Sequence, residues 1–378
     1  MIAADNIFGL LAVLLALSAA AAALETTSFG KRVSGVGLIL IAALIAAHFG
    51  VIPRSAPVYG VIWTYLVPLA IALFLIKADL VKVFNEGGRV LVAFTAGMIG
   101  TAAGAMIAAL LLDIGPDEAK LAGVFSATYT GGSLNFVAVA EAVKLDDPSQ
   151  LAAALAIDNI LGVGFIIFMN LIAAWTLLHR LFPWRAETLS EGGQAAQDGE
   201  AAPLQLANLL ASLAIAATVV AVSEWIARVV GLESYSLLFL TALMAAVATI
   251  GRKLTARFRG EDVIAMILMY LFFAIIGAGA DINAMLQAAP GLFIMVGIIF
   301  ATHLVFLFAA GAIFKLNYAE LVVASLACVA GPPIASAIAI LLKWRNLVAP
   351  GVLTGIVGYV LGNFVGVGIF TLLGGAIR

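Results

Sequence analysis

Long, uninterrupted apolar runs constrain this chain more than any other feature. A membrane-spanning helix needs about 20 mostly apolar residues. Twelve runs near that length fall at 6–24, 33–52, 58–76, 90–112, 121–143 and 151–178, then at 204–223, 235–250, 263–280, 291–314, 319–342 and 348–373. Apolar residues are 64% of the 378 and charged residues only 11%, more hydrophobic surface than one aqueous core can bury. The bilayer is the expected solvent, and an all-α polytopic membrane protein the expected fold.

The charges and the reactive side chains remove other classes. The 19 basic and 21 acidic residues sit in short hydrophilic gaps, so no basic stripe offers itself to nucleic acid. Cys328 is the single cysteine, which excludes an intrachain disulfide, and His48, His179 and His303 lie far apart. Neither a metal centre nor an organic cofactor is expected, beyond a coupling ion. Met1 to Asn6 carries Asp5 and neither Lys nor Arg, unlike a secretory leader, so the first run is expected to be a permanent span.

The chain divides at Trp184 to Pro203, rich in Glu, Gly, Gln and Ala, which has the composition of a flexible linker. Residues 1–183 and 204–378 then form two membrane repeats of six runs each, joined by a cytoplasmic linker over 184–203. Identities recur at an offset of about 200 residues: Ala119 with Ala319, Leu121 with Leu321, Ala127 with Ala327, Gly131 with Gly331, Leu161-Gly162 with Leu361-Gly362. Asp79 and Asp281 follow the third run of each half.

Each fifth run contains its own breaker, Thr130-Gly131-Gly132-Ser133 in one half and Gly331-Pro332-Pro333 in the other. An interrupted backbone survives in hydrocarbon only where it is buried in protein or lines a cavity. Twelve full crossings would leave Lys and Arg evenly divided between the two faces. Two re-entrant fifth runs would leave only Arg54, Lys120, Lys144, Arg228 and Arg378 outside, and the other 14 of the 19 inside, including Lys31, Arg32, Arg180 and Arg185. The expected architecture is therefore two inverted repeats, with about ten transmembrane helices plus two broken ones.

The breaks mark the expected site. Ser133 is placed as the N-cap of the second half-helix, whose positive end could take an anion at Thr130, Gly131, Gly132, Ser133 and Asn135. Pro332 and Pro333 lack N–H groups, so the carbonyls before them, near Gly331, could face a cation. Asp158 lies inside the sixth run beside Asn159, and an acid in a span usually serves an ion or a proton path. Thr128, Tyr129, Asp158 and Asn159 are the expected ion-coupling residues, with sodium or a proton as the ion. His303, Asn170 and Asn363 fit interhelical hydrogen bonding, Glu141 an interfacial position, and Asp79 and Asp281 caps at span ends.

The stretch Ala127-Thr128-Tyr129-Thr130-Gly131-Gly132-Ser133-Leu134-Asn135-Phe136, followed by Asp158-Asn159, resembles the domain-of-unknown-function 819 (YjcL-like) membrane proteins over essentially the whole chain. That family is in turn distantly similar to sodium-coupled glutamate and citrate carriers and to cation–proton antiporters. The resemblance implies an inverted-repeat transporter fold in a bacterial inner membrane. Paired glycines of the carboxylate carriers are matched by Gly131 and Gly132, whereas Gly331-Pro332-Pro333 departs from them. The antiporters' acid beside an asparagine is matched by Asp158 and Asn159.

These observations lead to a secondary transporter of a small, anionic solute coupled to sodium or protons. A cation–proton antiporter without organic substrate is the alternative, and an intramembrane enzyme using Ser133 with His303 a remote one. No enzymatic activity is expected. The expected partners are the bilayer, the solute or ion, and a second copy of the chain that fixes the frame.

Overall fold

The computed structural model describes residues 2–27, 35–173, 182 and 205–375. The linker expected at 184–203, together with Lys31, Arg32, His179, Arg180, Arg185 and Arg378, lies outside the described residues, as do the ends of runs reaching 33–34 and 174–178. The first half holds α1 (Ile7–Glu25), α2 (Gly35–His48), α3 (Pro57–Leu75, with a π-helical stretch at Ile62–Leu66), α4 (Leu80–Glu86), α5 (Gly88–Leu111), α6 (Glu118–Gly131), α7 (Ser133–Ala142) and α8 (Pro148–Ala173). The second holds α9 (Leu206–Val230), α10 (Ser236–Ile250), α11 (Arg252–Thr255), α12 (Glu261–Gly279), α13 (Ile282–Ile313), α14 (Tyr318–Val329), α15 (Pro332–Leu341) and α16 (Val348–Leu372). No strand occurs among the described residues.

Eight of these helices, α1, α3, α5, α8, α9, α12, α13 and α16, are long and apolar enough to cross a membrane. Helices α2 and α10 are apolar but shorter, at 14 and 15 residues. The two fifth runs are each two helices, joined at Gly132 in the first and at Ala330-Gly331 in the second. Gly132 has φ 90° and ψ −179°, and Gly331 has φ 81° and ψ 178°. That region is open essentially to glycine alone. The matching conformations correct the sequence register by one: Gly132, not Gly131, is the counterpart of Gly331. Lys144 and Lys343, the left-handed residues just beyond α7 and α15, keep this spacing.

Both broken runs turn back on themselves. Lys120, at the start of α6, donates from Nζ to the Lys144 carbonyl beyond α7 at 2.9 Å. A continuous helix would hold these residues about 36 Å apart. Across the same fold, the Phe125 and Phe136 rings lie 6.4 Å apart. In the second hairpin the Tyr318 and Trp344 rings, at the two outer ends, lie 6.3 Å apart.

Helix α16 fixes the direction of each hairpin. Its glycines Gly351, Gly355, Gly358, Gly362 and Gly366 form one stripe on which both hairpins rest. A methyl group on Gly366 would lie 2.7 Å from the Ala127 Cβ on α6 and 3.0 Å from Val139 on α7. Gly358 meets the Thr130 carbonyl at the first tip. Methyl groups on Gly355 and Gly351 would lie 2.7 Å from Pro332 and 2.6 Å from Val323. The first hairpin therefore comes in from the C-terminal end of α16 and the second from its N-terminal end. Their tips meet near its middle, where a methyl on Gly132 would sit 3.7 Å from the Gly331 Cα.

Ion pairs mark the two faces. On one, Arg54 pairs with Asp281 at 3.1 Å, and the Asp281 N–H donates to the Ser149 hydroxyl at 3.0 Å. Hydrogen bonds from the Ala284 N–H and from Arg54 hold the Asp281 carboxyl below its usual pKa. On the other face Lys77 pairs with Glu261, and Arg89 pairs with Glu320 while donating to the Lys315 carbonyl. The second face also receives Lys82, Arg252, Lys253, Arg257 and Lys343, which makes it the face that the positive-inside rule expects on the cytoplasmic side.

The helices sort into two bodies. Helices α5, α6, α7, α8, α13, α14, α15 and α16 pack mainly on one another, as do α1, α2, α3, α9, α10 and α12. Each body thus draws the same elements from both halves of the chain: the last three runs in one case and the first three in the other. In the hairpin body α5 and α13 approach closely through Gly97, Gly100 and Gly104, the small-residue packing that membranes favour.

This arrangement predicts the sidedness of thiol labelling. Single cysteines replacing Lys120 and Lys144 should react with an impermeant maleimide from the outside of intact cells, and those replacing Lys315 and Lys343 only after permeabilisation. Labelling of Lys120→Cys and Lys144→Cys from opposite sides would contradict a hairpin.

Candidate functional site

The site is built around the tip of the first hairpin. Helix α6 ends at Gly131 because Gly132 takes a backbone conformation that carries the chain around. Stopping there deprives the Tyr129 carbonyl of its helical donor. Thr101 Oγ1 on α5 and Cys328 Sγ on α14 replace it, donating at 3.3 and 3.1 Å. His303 on α13 supports the same corner: it contacts Thr101 Oγ1 and the Gly97 carbonyl through Nδ1, each at 3.0 Å, and Ser325 Oγ through Nε2 at 2.9 Å. These partners assign the proton to Nδ1 and make Nε2 the acceptor. His303 is fully buried within these contacts, and none of them is with Ser133.

Helix α7 begins on the other side of the tip. The structure corrects the expected cap: Gly132 is the N-cap residue and Ser133 the first helical residue. Rather than capping α7, the Ser133 hydroxyl donates to Asp158 Oδ2 at 3.3 Å. Asp158 on α8 is buried at 8% exposure, and the Ser133 bond holds its carboxylate by the N-terminal end of α7, where the helix dipole favours negative charge. Ser133 itself is exposed. A polar side chain exposed at this depth beside an acid belongs in a water-lined crevice rather than against lipid.

Three further oxygens surround the tip. The Tyr129 hydroxyl lies near the Asp158 carboxylate without a hydrogen bond of good geometry. Thr130 Oγ1 and Asn135 Oδ1 are likewise buried with no hydrogen-bond partner. Buried polar atoms are normally paired; the Tyr129 and Ser133 hydroxyls beside the Asp158 carboxylate have the chemistry of a cation or proton site, with the unpaired Thr130 and Asn135 oxygens elsewhere on the same tip. The Asn135 Nδ2 donates to Asn363 Oδ1 at 2.8 Å and to the Tyr359 carbonyl at 2.9 Å, and Asn363 Nδ2 donates to Thr241 Oγ1 at 2.9 Å. A narrow cleft lined by Ile71, Phe74, Leu75, Leu134, Asn135, Tyr359 and Asn363 lies beside them, with room for about one water molecule.

Other expected residues make the following bonds. Thr128 Oγ1 bonds back to the Val124 carbonyl at 2.7 Å, and Asn159 Nδ2 to the Leu155 carbonyl at 2.8 Å, so neither side chain is tied to Asp158 by these bonds. Asn170 similarly returns to Ile166, whereas Asn363 joins helices. Asp79 and Asp281 cap α4 and α13, and Glu141 pairs with Lys144. At the second tip, Gly331 is the N-cap, and Pro332 and Pro333 are the first two residues of α15, which therefore offers few free N–H groups. Tyr359 lies against Gly331: a methyl there would sit 3.3 Å from its hydroxyl.

Fold and site together define a polytopic helical membrane protein in which two opposed hairpins meet beside a buried acid. The chain matches the family described as "Protein of unknown function (DUF819)" over residues 9–374, and it belongs to that family. It is also 31% identical to the "Uncharacterized membrane protein YjcL" of Bacillus subtilis (strain 168), over 97% of this chain and 96% of the relative.

The close seat of the tip on α16 gives a direct test. In Gly358→Ala the new methyl would meet the Thr130 carbonyl and lie 2.9 Å from the Gly131 Cα, whereas Gly368→Ala meets nothing within 4 Å. Gly358→Ala should lose about 1–3 kcal/mol, as overpacking does, with Gly368→Ala near wild type in thermal unfolding of the detergent-purified protein.

Proposed function

We propose that this protein is a secondary active transporter that couples movement of a small solute to sodium or protons through Asp158. One observation carries the reading: two helix breaks entering from opposite faces meet beside a buried carboxylate, next to the seam between two helical bodies. The two halves act as inverted repeats, and alternating access moves the hairpin body against the other. A homodimer of the second body would supply a fixed frame.

The position of Asp158 suggests how coupling arises. When ionised, its carboxylate occupies the positive end of α7 and repels other anions. A proton or a sodium ion, held with the Ser133, Tyr129 and Thr130 oxygens, cancels that charge. The free N–H groups at the start of α7 can then take a small anion, which binds only after the cation. The proline-rich second tip, poor in N–H groups, shapes the site rather than holding the anion.

A second reading, exchange of a cation for protons without organic solute, is favoured by the size of the cleft beside Asn135, which fits about one water molecule. Sodium uptake into solute-free proteoliposomes under a pH gradient separates the two. Either reading places the coupling cation at Asp158, and thermal stability tests that. A ligand that binds only the folded state at 100 times its Kd stabilises it by about 2.7 kcal/mol. Unfolding of the wild type should shift upward with sodium or change with pH, and Asp158→Asn should lose that response. Equal responses in the two proteins would remove Asp158 as the coupling residue.

A further inference from the structure

We infer that Thr241 and Asn363 form a latch that holds the two bodies together and reports the state of the hairpin tip across the seam between them. The inference rests on the two-body transport reading. Asn363 belongs to α16 in the hairpin body and Thr241 to α10 in the other. Their side chains meet at 2.9 Å with exposures of 2% and 0%. The ion pair and hydrogen bond that join Arg54, Asp281 and Ser149 lie at the outer rim, whereas the Thr241–Asn363 bond lies in the apolar interior.

The chain of donors runs one way. Thr241 spends its hydroxyl proton on the Leu237 carbonyl at 2.8 Å, so its lone pair must accept from Asn363 Nδ2. That fixes the Asn363 amide, turning its Oδ1 toward Asn135 Nδ2. Asn135 in turn has both amide protons committed, to Asn363 and to the Tyr359 carbonyl. Its Oδ1 is therefore left at the tip with no donor. Reversing either amide would set oxygen against oxygen or N–H against N–H. The Tyr359 carbonyl, which can only accept, already sets the Asn135 amide, and the hydroxyl on the opposite body sets Asn363 in the orientation that completes the same chain.

Two consequences follow. Separating the bodies must break the Asn363–Thr241 bond and leave the Asn363 Nδ2 without its acceptor in an apolar interior, which disfavours opening. A cation or donor that engages Asn135 Oδ1 polarises the same amide and acts on the same chain. Thr241 and Asn363 are positioning residues: neither is argued to touch the transported species.

The test reads opening of the seam without requiring a known solute. Leu75 lines the cleft from α3 and is 2% exposed. Leu75→Cys is placed in a Cys328→Ser background, which keeps a donor for the Tyr129 carbonyl, and its reaction with a small permeant maleimide is followed in proteoliposomes. Thr241→Val, nearly isosteric but without the hydroxyl, should raise the labelling rate about fivefold, the worth of one net hydrogen bond. Thr241→Ser should restore the parental rate. If Thr241→Val does not reach the membrane folded, Thr241→Ala takes its place with the same expectation.

Equal rates in the hydroxyl-free variant and the parent overturn the latch, whether both are fast or neither reacts. An increase that Thr241→Ser does not reverse also overturns it, because the cause is then packing. The transport reading fails separately: it is contradicted if the parental rate ignores sodium and pH, even where Thr241→Val reacts faster.

Discussion

A helix that stops inside a bilayer leaves backbone groups that hydrocarbon cannot satisfy, and much of this architecture answers that constraint. At the first tip the Tyr129 carbonyl is met by Thr101 and Cys328, from two other helices. The start of α7 is joined to the Asp158 carboxylate through the Ser133 hydroxyl. The glycine stripe of α16 brings its backbone against both hairpins, so that protein rather than lipid surrounds the breaks. With these contacts in place, two hairpins entering from opposite faces can end at the same depth.

The two tips share a backbone conformation but not a chemistry. The first carries hydroxyl and amide groups and lies beside the acid; the second carries Pro332 and Pro333 and lies beside the Tyr359 ring. Asp158 on α8 and Asn363 on α16 both reach the first tip, so the equivalent sixth spans of the two halves serve one site.

The coarse architecture was legible because apolar run length, glycine and proline breaks, and the distribution of Lys and Arg each reflect the bilayer directly. Asp158 was legible as an acid in a span, and Gly132 as part of a double glycine. The partner of Ser133 was not, because a serine after glycine is a sound N-cap by local rules, and only the placement of α8 offers its hydroxyl a carboxylate instead. Thr128 and Asn159 each make a bond to their own helix that no sequence pattern distinguishes from a bond to a site. Thr241, Thr101 and Ser325 gave no signal, since a hydroxyl in a span usually bonds to its own backbone. Their roles depend on which helices pack together, which periodicity does not encode.

Infrared difference spectroscopy of the purified protein, wild type against Asp158→Asn, most directly tests the claim that Asp158 exchanges its charge with a cation at the tip. A carboxyl or carboxylate band that changes with pH or sodium in the wild type and disappears in Asp158→Asn is the predicted result. Spectra that respond identically in both proteins, or a carboxylate band indifferent to both pH and sodium, would contradict it.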